Sequence, residues 1–418
     1  MEKILSSHRF KRGNCLIKNG CQLAAFFVFL FLFFNFYVNI FIMVNKLKPL
    51  KYIFSNYFFK FWRIHNNKFP AILHHSIFSN VIKFLRCGDI TFGFSKFLCS
   101  HCGNTLFVPF SCKSRFCSSC GKIYAENWAN QLSTQLFNVP HLHMTLSLPK
   151  GPVRDFFFKN RFLLKDLAEA ANQSIKYSFN KFGVKHYGNI CVIHTFARDV
   201  SWNPHIHCIL TMGGFDSNNN WISFKSLPWK VLRASWQKCT LDILSDFAKK
   251  NNSVHIKNTV SLTYRKYPNG FYVNSDNLIN NPKQIAKYIG RYLARPAIAE
   301  YRITFFNSSI VKFWFKNPDS NNKIFLTLDI NTFIGRLLAH IPPSNFKMVR
   351  RFGIYSRNSN IKKPMNFRIF IPKITWAQKI FKTYGVNPLV CNKCNSTLTL
   401  VEIFHCAYGF IFPKNSSP

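Results

Sequence analysis

The sequence predicts an α+β fold, an antiparallel sheet with helices on one side, preceded by a small helical, cysteine-rich module. Three observations predict it. Short runs with strand-like alternation, "HLHMTLSLP", "NICVIHTFA" and "SWNPHIHCIL", alternate with runs of helical apolar spacing, which is the order of a mixed sheet-and-helix layer. Two CxxC pairs stand close together between Cys99 and Cys120. A helical stretch without strand signals leads into them. No internal repeat and no long low-complexity linker interrupts the chain.

Taken in order, Leu47 to Leu85 carries helical apolar spacing in "LKYIFSNYFFKFW" and "ILHHSIFSNVIKFL" and reads as two helices. A strand follows at "HLHMTLSLP", then a helix over Phe156–Phe182, a strand at "NICVIHTFA", a turn at "FDSNNNW" and a helix over Leu227–Lys249. "VSLTYRKYPNGFYV" reads as a hairpin turning at Asn269-Gly270. "NPKQIAKYIGRYLARPAIA" reads as a helix, with Pro282 in its first turn and Pro296 beyond its end. The expected organisation is an apolar extension over 1–42, a helical, cysteine-rich domain over 43–135, and a mixed sheet-and-helix domain over 136–310. A basic region over 311–380 and a CxxC tail over 381–418 complete it.

Charge narrows the function. The 418 residues hold 56 Lys+Arg against 15 Asp+Glu, a net charge of +41. A surface of this sign attracts polyanions and releases their counterions, which favours nucleic acid over a small acidic metabolite. Codon bias in an AT-rich genome accounts for many Lys and Phe residues, but not for so few acids.

The cysteines cluster, as metal ligands do. Cys99-x2-Cys102 and Cys117-x2-Cys120 have the spacing of two zinc knuckles, and these four thiols are expected to close one tetrahedral structural zinc site. Cys87 and Cys112 are surplus to that set. Lys113, Arg115 and Lys122 are interleaved with the ligands and suit a phosphate backbone. Zinc thiolates need a reducing compartment, which points to the cytoplasm. Against this, Leu23–Met43 is an apolar run preceded by Lys3, Arg9, Lys11, Arg12 and Lys18, the pattern of a signal anchor or membrane span. Asn35 and Asn39 interrupt it and Met43 ends it, so the preferred expectation is an over-extended reading frame starting near Met43.

His205 and His207 stand one residue apart on a strand, where both imidazoles face one side about 7 Å apart and can converge on an ion. Downstream, Tyr288 and Tyr292 lie one helical turn apart, among Lys283, Lys287, Arg291 and Arg295. Periodicity alone favours two core aromatics.

A zinc module, a His-hydrophobe-His strand and a Tyr-x3-Tyr helix, in that order, resemble the two-tyrosine rolling-circle transposases, the insertion sequence ninety-one family of the HUH endonucleases. The resemblance covers about Lys46 to Cys394. It rests on "RCGDITFGFSKFLCSHCG", "SCKSRFCSSCG", "HTFARDVSWNPHIHCIL", "AKYIGRYLARPAIAEYRI" and "HIPPSNFKMVRRFGIYSR". It implies an HUH nuclease domain that nicks and rejoins single-stranded DNA at transposon ends and target sites. By similarity, His205 and His207 hold a catalytic Mg2+ or Mn2+, and Tyr288 and Tyr292 are the nucleophiles. His194 is the first candidate for a third ligand and Asp199 the second, although Asp199 equally suits bracing the turn before Trp202. His141 and His143 repeat the His-x-His spacing but precede the main helices, and read as a plain sheet strand. Cys391-x2-Cys394, with His405 and Cys406 beyond, suggests a further zinc site. Lys347, Arg350, Arg351 and Arg357 read as strand-binding residues. The rival readings are an inactive zinc-dependent DNA-binding remnant of such a transposase and a membrane-anchored basic protein.

Overall fold

The structure, a computed structural model, describes residues 48–114, 116–180, 182–275, 278–279, 284, 297–317, 319–357, 375–385 and 387–412. The apolar run over Leu23–Met43 and the helix expected around Tyr288 and Tyr292 lie outside these. The two expected N-terminal helices are α1 (Pro49–His65) and α2 (Ala71–Leu85), parted at Phe69-Pro70 because proline excludes the helical conformation from the residue before it. A hairpin of β1 (Gly93–Cys99) and β2 (Thr105–Pro109) follows, then α3 (Ser118–Ser133) and β3 (His141–Ser147).

The single helix expected over 156–182 is two, α4 (Pro152–Lys159) and α5 (Leu164–Asn180), because Asn160 leaves helical geometry with φ −110° and ψ 64°. Next come β4 (His186–Phe196), β5 (Trp202–Phe215), β6 (Trp221–Ser223) and α6 (Trp229–Lys250). The hairpin expected over 260–273 is wrong. Val260 to Lys266 belong to α7 (Val254–Lys266), and only β7 (Val273–Ser275) is extended. The β-branched and aromatic run imitates a strand. However, Ser253 caps the helix upstream by accepting from the Ile256 N–H, while Ile256 and Val260 pack on the core. Tyr267, at φ −124° and ψ 65°, ends the helix ahead of Pro268, and Gly270, at φ +80°, donates to the Tyr267 carbonyl in the turn beyond it. The described chain continues through β8 (Ile303–Phe306), β9 (Ile310–Lys316), β10 (Lys323–Asp329), α8 (Ile330–Leu338), β11 (Val349–Gly353), α9 (Trp376–Tyr384), β12 (Leu398–His405) and β13 (Gly409–Phe412). No described helix is long and apolar enough to cross a membrane.

The described residues divide into two compact units, one drawn from 48–55, 85–112 and 375–412, the other from 56–84 and 113–357. The first holds an antiparallel sheet of order β13-β12-β1-β2. The tail, expected to stand apart from residue 381, supplies two of its strands. Phe97, Cys99, Val108, Cys391 and Leu398 form the small core, with the Trp376 ring stacked on Phe97 at 5.9 Å.

The second unit is built on an antiparallel sheet of order β11-β4-β5-β3-β7, with β6 paired to the edge of β5. Period-two alternation gives it two chemically different faces. Leu142, Met144, Leu146, Cys191, Ile193, Ile206, Cys208 and Leu210 pack with residues of α4, α5 and α6 in the main core. α4, α5 and α6 thus lie on one side, and this is the α+β architecture expected. On the other face stand His141, His143, His194, His205 and His207, all less than a tenth exposed. Beyond them Ile190, Val192 and Ile209 pack against Leu132, Leu136 and Phe137. A second antiparallel sheet, β10-β9-β8, carries α8 against its inner side, where Phe313 meets Phe333 at 5.8 Å.

Candidate active site and metal centres

The ladder between β4 and β5 sets His194 directly opposite His205, and Val192 opposite His207. One nitrogen from each of His194, His205 and His207 lies within 4.8 Å of the others. The Nε2 atoms of His205 and His207 are 3.1 Å apart, close to the separation of two ligands at right angles about 2.1 Å from one ion. His205 Nδ1 is 2.7 Å from the Asn203 carbonyl, so that nitrogen carries the proton and Nε2 keeps its lone pair. His207 Nδ1 meets His143 Nε2 at 2.9 Å and Thr145 Oγ1 at 3.2 Å, which leaves its Nε2 for the cluster in the same way. Such outer partners fix tautomer and ring direction. Burial pushes His205 down to about 4, with smaller depressions from the charges of Arg154 and His143. It also lowers His207 well below its usual value, helped by His194, His205 and His143. At neutral pH both are therefore uncharged donors, the form a metal ion requires.

The connection from β4 to β5 is held tightly. Val200, a buried β-branched residue, sits at φ +66°, a conformation that persists only when neighbours impose it. Arg336 donates to the Asp199 carbonyl at 3.1 Å, and His340 Nε2 to the Val200 carbonyl at 2.9 Å. α8 and its following turn thus brace the bend that aims His194 and His205. Asp199, the alternative third ligand, is occupied there. Its Oδ1 accepts from the Ser201 N–H at 3.1 Å and hydroxyl at 2.7 Å, and Arg336 lies 3.8 Å from its other oxygen.

Residues 141–147 do form the strand expected, but His143 faces the cluster and orients His207, a role not inferred from the sequence. The signal was there, in a His-x-His spacing equal to that of His205 and His207. His141 completes a separate relay. The Phe137 N–H donates to Tyr355 Oη at 3.2 Å, Tyr355 donates to His141 Nε2 at 2.5 Å, and His141 Nδ1 donates to the Val139 carbonyl at 2.7 Å. A protonated imidazole would set an N–H against the phenol's O–H. Burial accordingly pushes His141 down to about 4.

His141 thereby adds to stability at neutral pH. The folded protein holds it neutral, while the unfolded chain binds a proton below about pH 6.5, so its contribution is complete above 6.5 and is lost as pH falls towards 4. Between pH 7 and pH 5 the loss from this residue should be about 2 kcal/mol. Urea unfolding at both pH values should show His141→Gln losing less than wild type by that amount. Parallel losses would remove His141 from the account.

Of the remaining expected site residues, Tyr288, Tyr292, Lys287, Arg291, Arg295 and Arg115 lie outside the described residues. Lys113 is exposed at φ +52°. Arg350 and Arg351 pair with Cys191 and Ile190, so they point to opposite faces of the sheet. Only Arg351 is on the histidine face, where it donates to Gln135. One strand passing over that face cannot engage both.

The expected zinc set of Cys99, Cys102, Cys117 and Cys120 is incorrect. Cys99 and Cys102 group in the first unit with Cys391 and Cys394, because β1 and β12 pair and bring the two CxxC turns together. Their sulfurs lie 3.4 to 3.6 Å apart, far beyond a disulfide bond of about 2.05 Å. That separation is near the edge of a tetrahedron of thiolates about 2.3 Å from zinc. The two turns are alike. Gly103 at φ +68° and Asn395 at φ +58° follow the second cysteine of each, and donate to the Cys99 and Cys391 carbonyls, both at 3.0 Å. The Lys393 N–H and the Asn104 amide point at Cys391 Sγ, at 3.5 and 3.6 Å. His405, suggested as a partner of Cys391, instead pairs with Gly93 in the sheet. Cys112 donates its N–H to Cys87 Sγ at 3.4 Å in the first unit. In the second, Cys117 and Cys120 lie buried at the start of α3.

An antiparallel sheet that gathers histidines on the face away from α4, α5 and α6, in a strongly basic chain, is consistent with an HUH nuclease domain. Comparison with known proteins narrows the class. Residues 188–362 match a family model described as "Putative transposase", and residues 54–148 match one described as "Transposase zinc-binding domain" of the IS91 type. The chain is 27% identical over 337 residues to "Transposase for insertion sequence element IS801" of Pseudomonas savastanoi pv. phaseolicola, covering 76% of this chain and 82% of that one. It is 24% identical over 277 residues to "Putative transposase y4qJ" of Sinorhizobium fredii, covering 61% and 68%. No solved structure matches. The chain belongs to the IS91 family of transposases and carries that family's zinc-binding domain.

Proposed function

We propose that this transposase nicks and rejoins single-stranded DNA through a 5′-phosphotyrosine intermediate, in transposition of the rolling-circle type. The observation that carries the reading is the convergence of three buried imidazole nitrogens on the face of the sheet away from α4, α5 and α6. A set of neutral nitrogen donors with no carboxylate favours Mn2+ over Mg2+. His194, His205 and His207 would hold the ion. When bound, it supplies positive charge that polarises a non-bridging oxygen of the scissile phosphate. His143 and the Asn203 carbonyl keep the imidazoles in the donating tautomer, and Arg351 is placed to contact a strand on that face.

The nucleophile is Tyr288 or Tyr292. Its phenol oxygen attacks phosphorus, the P–O3′ bond breaks, and the 3′-oxygen leaves with a proton. A 3′-OH from the same or another strand then attacks the phosphotyrosine, restoring a phosphodiester and the phenol. One phosphoester bond is exchanged for another in each step, so no ATP is needed. Two tyrosines permit two strands to be held at once. Zinc has a structural role, with Cys99, Cys102, Cys391 and Cys394 proposed as one set of ligands. Thiolates of this kind point to work in a reducing cytoplasm.

Purified protein mixed with single-stranded DNA from the element's ends and Mn2+ should give a protein–DNA adduct that survives denaturant. Either Tyr288→Phe or Tyr292→Phe should reduce it, and the double variant should abolish it. Tight binding of those ends with no adduct at any metal concentration would favour the rival reading of a DNA-binding remnant.

A further inference from the structure

The sheet β8–β10 has an outer face that the histidine site does not use. Val311 and Phe313 of β9 are buried, and the alternate residues Lys312, Trp314 and Lys316 stand across the ladder from Thr327, Phe325 and Lys323 of β10. Phe305 of β8 pairs with Lys312, and the Tyr301 ring lies 5.9 Å from Trp314. Tyr301 is 73% exposed, Phe325 53% and Phe305 50%. Lysine ammonium groups lie over the rings, Lys323 at 4.6 Å from the centre of Trp314 and Lys312 at 5.5 Å from that of Phe325. β9 contains no acidic residue, and the one acid of β10, Asp329 at its end, caps α8 by accepting from the Thr332 N–H at 2.9 Å.

An open row of aromatic rings on a sheet marks a binding surface. Its charge selects the partner. The core of a protein–protein interface is depleted in lysine, whereas here lysines are interleaved with the rings, in a chain of net charge +41. That combination fits bases stacked on rings with ammonium groups on the phosphates between them. A duplex keeps its base faces stacked inside, so only an unpaired strand offers them.

We propose that this face, with Tyr301, Phe305, Trp314 and Phe325 set among Lys312, Lys316 and Lys323, is a platform that holds single-stranded DNA by base stacking. It deepens the proposed function, since a transposase that cuts one strand must keep that strand unpaired. The lysines over Trp314 and Phe325 move to the phosphates as bases take the ring faces.

The test is fluorescence anisotropy of the full chain, without divalent metal, on labelled oligothymidylate and on a duplex of equal length. Tyr301→Ala and Phe325→Ala should each weaken oligothymidylate binding about tenfold and leave duplex binding nearly unchanged. Phe325→Trp should restore affinity, whereas Phe325→Leu, which keeps apolar bulk without an aromatic ring, should not. Lys312→Ala and Lys323→Ala should each reduce the salt dependence of binding by about one ion. Wild-type affinity in both alanine variants would overturn the platform. So would unchanged DNA affinity together with loss of a dimer in sedimentation, which would make the face a contact between copies of the chain. The adduct assay at saturating DNA separates this from the nuclease reading. A wild-type adduct with unaffected binding in the ring variants sinks the platform alone, and an absent adduct with impaired binding in those variants sinks only the nuclease.

Discussion

His205→Ala and His207→Ala should each lower the rate of metal-dependent adduct formation by about a thousandfold, the effect of losing several kcal/mol of charge stabilisation at the scissile phosphate. Both residues contribute a neutral nitrogen to one cluster, and two remaining donors with no carboxylate among them hold a divalent ion poorly. His143→Ala should behave differently. It leaves all three donors in place and removes the partner at 2.9 Å from His207 Nδ1, so apparent metal affinity should fall by about ten- to a hundredfold and high Mn2+ should restore the rate. Adduct formation measured across a Mn2+ titration distinguishes the cases, since loss of a positioning residue shifts the midpoint alone while loss of a ligand shifts it and also lowers the plateau. Wild-type rates and midpoints in His205→Ala would place the ion elsewhere.

The legible parts of this protein are those governed by local periodicity. His205 and His207 share a face because a strand repeats every two residues, and α1, α2 and α6 announce themselves by apolar spacing. What was missed depends on pairing between distant segments. Nothing near Cys99 indicates that its partners lie almost three hundred residues away, because only the ladder of β1 with β12 brings them together. For the same reason the nearer pair, Cys117 and Cys120, looked the better match. His143 escaped notice because its role is set by strand order, with β3 beside β5, and order in an antiparallel sheet is not written in any one strand. The region 260–266 failed differently. There β-branched and aromatic residues outweighed a serine cap and a half-buried helical stripe in the sequence reading, and packing reversed the preference.

Replacing both Cys391 and Cys394 by serine should remove one equivalent of zinc from the purified protein and unfold the first unit's sheet. The first unit has few means of holding itself together. Among the described residues, its buried apolar cluster is Phe97, Cys99, Val108, Cys391 and Leu398, two of which are proposed ligands, and a core of that size supplies about 3–5 kcal/mol. A four-thiolate zinc site contributes about 10–16 kcal/mol of apparent binding energy in small zinc modules, so most of the unit's stability should come from the ion. The effect is also long-range. The site joins the turn after β1 to the tail before β12, so its loss frees β12 and β13 from β1 together. Limited proteolysis should then cut within 387–412, a stretch protected in the wild type. The histidine site of the second unit should still give an adduct at low temperature, because none of its residues belongs to the first unit. Equal zinc content in wild type and double variant would show that these four thiols hold no ion, and that the tail stays paired by hydrogen bonds and packing alone.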